Sequence, residues 1–317
     1  MRKFLFTAAV LSFACATPAL AQTDLKIMAP AAPGGGWDQT ARAMQQALIA
    51  EKLVKSVQVT NVNGAGGSVG LAQLVNSAKG DGNQLMVNGF VMVGALLMNK
   101  SPVTLEQATP IARLTEETQV IVVPTNSPIK DAKGLAAAVK ENIAKVTWAG
   151  GSAGGVDQIT AALFAGATGA DPSKVNYIPF SGGGESLAAI LGGKVTAGIS
   201  GWGEYEGQIK AGKLRAIGVT SAQRLPGSDV PTFKEQGVDL VIANWRSVMA
   251  PPGITSEQKA NLIALVDKLV KSPAWTEVLK QKGWDSAYLS GDAFAAFLKQ
   301  ENARVTEVLK SIGLVKS

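Results

Sequence analysis

The sequence predicts an α/β protein of two lobes, each a mixed sheet flanked by helices, with a C-terminal helical tail on the first lobe. Three observations carry that expectation. Short apolar runs alternate with amphipathic stretches through most of the chain, the pattern of strand–helix–strand units. The length of 317 residues, at 46% hydrophobic, exceeds what one core usually serves. Beyond Pro251-Pro252-Gly253 the pattern turns helical throughout, too little to form a domain of its own.

Taken in order, residues 1–21 read as a secretory signal peptide. Arg2 and Lys3 form its charged start, residues 4–16 its apolar core, and Ala19-Leu20-Ala21 a small-x-small cleavage site. That core is too short to span a membrane. Strands are expected at 25–29, 57–62, 85–88, 119–123, 146–149, 175–178, 195–200 and 214–219. Between the first two, Trp37, Ala41, Met44 and Leu48 recur at helical spacing. No internal repeat is visible.

Two segments read as crossings between lobes. Residues 119–123 run into Pro124 and Pro128 as an extended strand leaving the first lobe, and residues 240–249 lead to Pro251-Pro252 as one returning. The first lobe is therefore expected at 24–123 plus 245–317 and the second at 124–244, with hinges near 119–125 and 243–250. In the tail, Thr255 or Ser256 caps a helix carrying Leu262, Leu265, Val266 and Leu269. Ser272-Pro273 opens a second that ends near Gly283, and a third from about Ser290 buries Phe294, Phe297, Leu298, Val305, Val308 and Leu309.

Composition excludes several chemistries. The chain has no His, so a His-Asp-Ser triad, a Cys-His dyad and a His-ligated metal are all ruled out. Its one Cys, Cys15, lies in the leader, so the mature chain can form neither an internal disulfide nor a thiolate site. No catalytic residue, metal or cofactor is assigned. Two G-x-S-x-G matches, at Gly66–Gly70 and Gly150–Gly154, lack the base such a serine needs. The net charge of +6 is dispersed along the chain, unlike the concentrated basic face of a nucleic-acid binder.

Four strand-to-helix junctions are rich in Gly: residues 30–38, 63–68, 150–157 and 180–185. In open α/β sheets ligands bind outside the carboxyl ends of the strands, where such loops lie. Each loop feeds a helix whose first N–H groups lack partners and carry the positive end of the dipole, and Gly lets an anion approach closely. Charge-assisted hydrogen bonds contribute roughly 1.5–3 kcal/mol each, so three or four supply much of the ~8 kcal/mol of micromolar binding. Asp38, Asp157 and Glu185 stand in first turns, where a carboxylate either orders loop N–H groups or serves the dipole alone. Trp37 reads as a pocket wall or as the start of an apolar stripe, and Trp202 and Tyr205 as crevice lining or core.

The motifs Ala-Pro-Gly-Gly-Gly-Trp-Asp, Asn-Gly-Ala-Gly-Gly-Ser-Val-Gly, Gly-Gly-Ser-Ala-Gly-Gly, Ser-Gly-Gly-Gly-Glu-Ser-Leu-Ala-Ala-Ile-Leu-Gly-Gly and Ala-Gly-Lys-Leu-Arg-Ala-Ile-Gly-Val occur in that order. Together they resemble the tripartite tricarboxylate transporter receptors, or Bug proteins, across essentially the whole mature chain. The resemblance implies a periplasmic binding protein of the type II-like, Venus flytrap class, monomeric and not an enzyme. It implies capture of an organic carboxylate and delivery to a membrane permease with a large and a small subunit. By that resemblance Ala32, Gly34, Gly35, Trp37 and Asp38 map onto a first-lobe clamp, and Gly66, Gly67 and Ser68 onto a neighbouring loop. Ser152, Gly154, Gly155 and Asp157 map onto a second-lobe loop, and Ser181, Gly182, Gly183 and Glu185 onto the next. Relatives often carry His after the second-lobe Gly-Ser loop, where Asp157-Gln158 stand here. The Gly-Gly-Gly-Trp-Asp form looks like the tricarboxylate-binding branch, which points to citrate-like acids with dicarboxylates beside them. Two alternatives stay open: a sensor presenting the same anion to a membrane kinase, and an exported His-free hydrolase.

Overall fold

The computed structural model describes residues 24–180 and 183–315. The signal peptide expected at residues 1–21, Ser181 and Gly182 lie outside these described residues. The elements are β1 (Asp24–Ala29), α1 (Gly36–Ala50), β2 (Ser56–Asn61), α2 (Ser68–Ser77), β3 (Gln84–Gly89), α3 (Phe90–Met98) and β4 (Thr109–Pro124). There follow α4 (Ala132–Asn142), β5 (Thr147–Gly150), α5 (Val156–Ala167), β6 (Asn176–Pro179), α6 (Gly183–Leu191), β7 (Ala197–Gly201), α7 (Trp202–Lys210) and β8 (Leu214–Val219). β9 (Ala243–Ala250), α8 (Ser256–Val270), α9 (Pro273–Lys282), β10 (Asp285–Ser290) and α10 (Gly291–Ser311) complete the chain.

One strand belongs to two sheets. Residues 109–118 of β4 pair antiparallel with β9, and the same half carries β10; from Gln119 onward β4 pairs antiparallel with β7 and β8. The change of partner falls between Thr118, opposite Ala243, and Gln119, opposite Gly201. In the first sheet β1 lies parallel between β2 and β3, and β9 joins β3 to β4. In the second, β5 lies parallel between β6 and β7. The parallel strands of both sheets end in loops that feed helices, so their carboxyl ends face one crevice astride β4.

Thr220 ties the two crossing segments together. Its buried hydroxyl donates to the Ile242 carbonyl at 2.6 Å and accepts from the Gln119 N–H at 3.0 Å. Behind the sheets the apolar side chains form three clusters. One joins α1, α8 and α9 to the first sheet around Met44, Leu48, Leu269 and Trp275. A second sits under α6 and α7 around Ile190 and Tyr205. The third runs unbroken from Phe90 and Leu71 to Trp148, Phe164 and Phe233, so the two halves share a core on the α3–α5 side.

The tail departs from the all-helical expectation. β10 pairs antiparallel with β4, with a shift in register between Ser286 and Leu289. This short edge strand buries only Ala287, so it lacks the alternating apolar face by which a strand shows in sequence. β4 likewise begins ten residues before the expected 119, because Thr, Glu and Gln at positions 115–119 interrupt its apolar run where the interior is polar.

Candidate functional site

Helix capping differs between the crevice and the rest of the fold, with α10 as the exception, since its Ser290 makes no side-chain cap. Away from the crevice, α4, α8 and α9 open with Asp131, Thr255 and Ser272, each side chain accepting a first-turn N–H at 2.7, 3.1 and 3.2 Å. At the carboxyl ends of the parallel strands, α1, α2, α3, α5 and α7 open with Gly35, Gly67, Gly89, Gly155 and Gly201, and none has a side-chain cap. A Gly cap offers no acceptor to the first-turn amides. Five helices therefore point uncapped N-termini toward the junction of the sheets.

The first and third loops repeat one another in backbone geometry. Gly35 donates to the Ala32 carbonyl at 3.1 Å and Gly155 to the Ser152 carbonyl at 3.0 Å. Gly34 and Gly154 precede these caps at φ +83° and +73°, a region where a side chain is strained. The Gly34 N–H is held by the Asp38 carboxylate at 2.7 Å and the Gly154 N–H by the Gln158 side chain at 2.8 Å. Thr40 and Thr160 each bond back one turn, to the carbonyls of Gly36 and Val156. Of the ten aligned pairs only Gly34/Gly154, Gly35/Gly155 and Thr40/Thr160 are identical, too few to mark a repeat in the sequence.

Direct contacts bring the glycine loops together. A Cβ on Gly67 would lie 2.7 Å from the Trp37 ring and 2.6 Å from the Met92 methyl, which joins the first and second loops to α3. Trp37 thus walls the second loop. A Cβ on Gly66 would overlap that of Ala95, and one on Gly94 would overlap the Gly154 carbonyl, so α3 is pressed between the second and third loops. The third loop meets the fourth through Phe180, whose N–H donates to the Gly150 carbonyl at 2.9 Å, and Tyr177, whose hydroxyl donates to the Gly151 carbonyl at 2.8 Å. Ala32, Gly34 and Ser152 are exposed at the rim, Gly35 and Ser68 half-buried, and Gly154 and Gly155 buried. Gly183 opens α6 and Glu185 stands exposed in its first turn. Tyr205 belongs to the core, its hydroxyl 2.9 Å from that of Ser186.

Asp38 and Asp157 differ in charge although both brace a loop. Burial pushes the Asp38 carboxyl up, but bonds from Arg42 at 3.0 Å, the Gly34 N–H and Asn61 at 2.8 Å outweigh it and hold it below the usual range. Its bonds all go to neighbouring protein groups, which makes it a brace for the first loop. Asp38→Ala strands those donors, and we expect it to lower unfolding free energy by about 2–3 kcal/mol at pH 7. Because the native carboxyl titrates below the unfolded one, that deficit should shrink as pH falls below 4. Urea titrations at pH 7 and pH 3 check this; an equal deficit at both would show that the ionised carboxylate does not brace the loop. Asp157 accepts the Gly151 N–H at 2.7 Å, yet burial, reinforced by Glu204 and Glu117, pushes it up to about 7.

The crevice floor is polar and largely buried, and sequence reasoning missed it. Asn88 and Gly89 end β3, Glu117 and Gln119 lie at mid-β4, Ser200 and Gly201 end β7, and Arg246 and Ser247 lie within β9. Arg246 Nη2 donates to Glu117 Oε2 at 2.7 Å, both side chains at most 6% exposed. Ser247 meets Asn88 at 2.5 Å and Ser200 meets Glu204 at 2.6 Å. Asn88 Nδ2, Gln119 Oε1 and Arg246 Nη1 are buried with no protein partner. Glu117 and Arg246 also line a cleft of about 810 Å³ between α7 and the α9–β10 turn, with Trp202, Glu204 and Trp284. Among the described residues, none of the candidate site residues lines that cleft. One signal for the floor was available: polar residues inside apolar strand runs, at Asn88 and at Arg246-Ser247.

The comparisons with known proteins agree with this geometry. Residues 40–314 match the family described as "Tripartite tricarboxylate transporter family receptor". A UPF0065 protein of the TAR-I ttuE-ttuC' intergenic region of Agrobacterium vitis is 30% identical over 274 residues, covering 85% of this chain and 78% of that protein. The structure of the periplasmic binding protein BugD superposes with a TM-score of 0.78 at 25% identity, covering 93% of this chain and 99% of BugD. MatC from Rhodopseudomonas palustris, a structure with bound malate, shares the fold at a TM-score of 0.76 and 24% identity, covering 90% and 98%. This is the family and the fold of solute-binding receptors, not of enzymes. The chain belongs to the tripartite tricarboxylate transporter receptor family.

Proposed function

We propose that the chain is exported to the periplasm, cleaved after Ala21, and captures an organic acid with two or three carboxylates, citrate-like or dicarboxylic. It hands that acid to a membrane permease of one large and one small integral subunit. The observation that carries this reading is the set of five Gly-opened helices, α1, α2, α3, α5 and α7, drawn from both sheets and left without side-chain caps at one crevice. Uncapped N-termini favour anions, and several together hold a carboxylate at each end without a dedicated cation. The binding residues in this reading are Ala32, Gly34, Gly35, Trp37 and Asp38 in the first loop and Gly66, Gly67 and Ser68 in the second. Across the crevice they are Ser152, Gly154, Gly155 and Asp157, then Ser181, Gly182, Gly183 and Glu185. The lobes are 24–123 plus 245–317 and 124–244. They close about the segments near 119–125 and 243–250, where β4 changes sheets and Thr220 joins the crossings. Malate in MatC supports a small carboxylate here.

A thermal-shift series of the mature chain against citrate, malate, succinate and adipate tests the proposal, with the neutral amides of the same acids as controls. A ligand at a hundred times its Kd adds about 2.7 kcal/mol to stability, a rise of several degrees in Tm. An acid that raises Tm while its amide does not is the expected result. No shift with any acid at millimolar concentration counts against the reading.

A further inference from the structure

Arg246 stands where three of the uncapped helices meet. On β9 it pairs with Gly89, the cap of α3, and its guanidinium lies against the first residue of α1, since a Cβ on Gly36 would sit 3.0 Å from Nη2. Its partner Glu117 lies under Gly201, the cap of α7, where a Cβ would overlap the carboxylate. The guanidinium is fixed over the Trp284 ring, 4.6 Å from Cζ to the centroid.

A cation buried among positive helix ends is an unfavourable arrangement unless anions offset it. On the α7 side they do. Glu117 takes Nη2 beneath the start of α7, and Glu204 in the first turn of α7 is bonded by Ser200. On the α1–α3 side they do not. The Asp38 carboxylate is taken by Gly34, Arg42 and Asn61, and the first turn of α3 holds no acid. The guanidinium as a whole is under-satisfied, since its Nη1 is buried without a partner.

Resting on the receptor reading above, we propose that Arg246 is the charge-selecting residue of the crevice: one carboxylate of the bound acid pairs with its guanidinium beside Gly36, the first residue of α1. The glycine loops alone accept any compact oxyanion. A fixed guanidinium with a buried, unpartnered Nη1 favours an ionised group at the floor, and Glu117 acts as its positioning residue. Neutral analogues are discriminated against at this end of the crevice, while the second-sheet loops hold the other end of the acid.

Three variants separate ligand pairing from a merely structural ion pair: Glu117→Gln, Arg246→Lys, and the double variant Arg246→Gln/Glu117→Gln, which leaves no unpaired buried charge. Each is titrated calorimetrically with citrate, malate and adipate, with circular dichroism confirming the fold. Glu117→Gln should bind the best of these acids only a few-fold more weakly than the unaltered chain, because its amide oxygen still holds Nη2 in place. The double variant should lose roughly thirtyfold, the worth of one charge-assisted hydrogen bond, and Arg246→Lys should recover part of that loss. Equal affinity in the double variant and in Glu117→Gln overturns the proposal, as does an equal loss in both. If the unaltered chain takes none of the acids, the receptor reading itself fails, a result distinct from either.

Discussion

Gly94→Leu is expected to weaken acid binding more than a hundredfold while leaving the fold intact. Gly94 sits in the middle of α3, where an isolated Gly is less favourable than Ala by roughly 1 kcal/mol, so helix propensity alone argues against it. Its space is what the structure uses: any Cβ there would overlap the Gly154 carbonyl, a backbone atom that cannot rotate aside. The obstacle exists only while the third loop rests on α3. A chain that opens at its hinges accommodates leucine, whereas a chain that closes on its ligand does not. Holding the second-sheet loops away from the acid forfeits at least two charge-assisted hydrogen bonds, about 3 kcal/mol or more, which is the hundredfold loss. Gly94→Ala should give a smaller loss of the same kind. Calorimetric titration measures the affinity, and small-angle scattering in saturating acid should show the larger radius of an open molecule. Undiminished affinity in Gly94→Leu would remove α3 and the third loop from the closing surface.

Asp157→Asn is expected to stabilise the protein at neutral pH and to flatten its dependence on pH. Burial and the nearby carboxylates push Asp157 up to about 7 from an ordinary 3.8. The native state then holds a proton that the unfolded state has released, so stability falls as pH rises from about 4 to 7. Fully developed above pH 7, the penalty is on the order of 4 kcal/mol, since each tenfold gain in proton affinity on folding corresponds to about 1.4 kcal/mol. Asn keeps an oxygen for the Gly151 N–H and has nothing to ionise. Its advantage over the unaltered chain should be absent near pH 4 and grow to several degrees in Tm at pH 7.5. Melting curves at pH 4.5, 6 and 7.5 decide it. An offset that does not change with pH would mean that the carboxyl titrates normally.

Much of the fold was legible because it is written in local periods. Alternating apolar runs located the eight expected strands, Gly-rich junctions located the turns at their carboxyl ends, and Thr255 and Ser272-Pro273 marked helix starts that the structure caps as their chemistry requires. The crossing at 119–123 was legible for the same reason, as an apolar run leading into Pro124. The candidate loops could be picked out by glycine alone, whereas the repeat linking residues 31–40 to 151–160 could not. Backbone bonds define it, while Asp38 and Gln158 fill the same role with different side chains. β10 escaped notice because an edge strand with one buried side chain leaves almost no pattern.

By itself the sequence determined the α/β class, the succession of strand, loop and helix, and the supply of uncapped helix starts, since each depends on residues within a turn or two of one another. Only the tertiary structure decided which of those starts face one another and what lies beneath them. Arg246 and Glu117 are 129 residues apart and meet through β9 and β4. Gly94 and Gly154 touch because two sheets share a strand. Strand pairing brings distant segments together through backbone hydrogen bonds that nearly every residue can make, so the side chains that meet there carry no mark of one another in the chain.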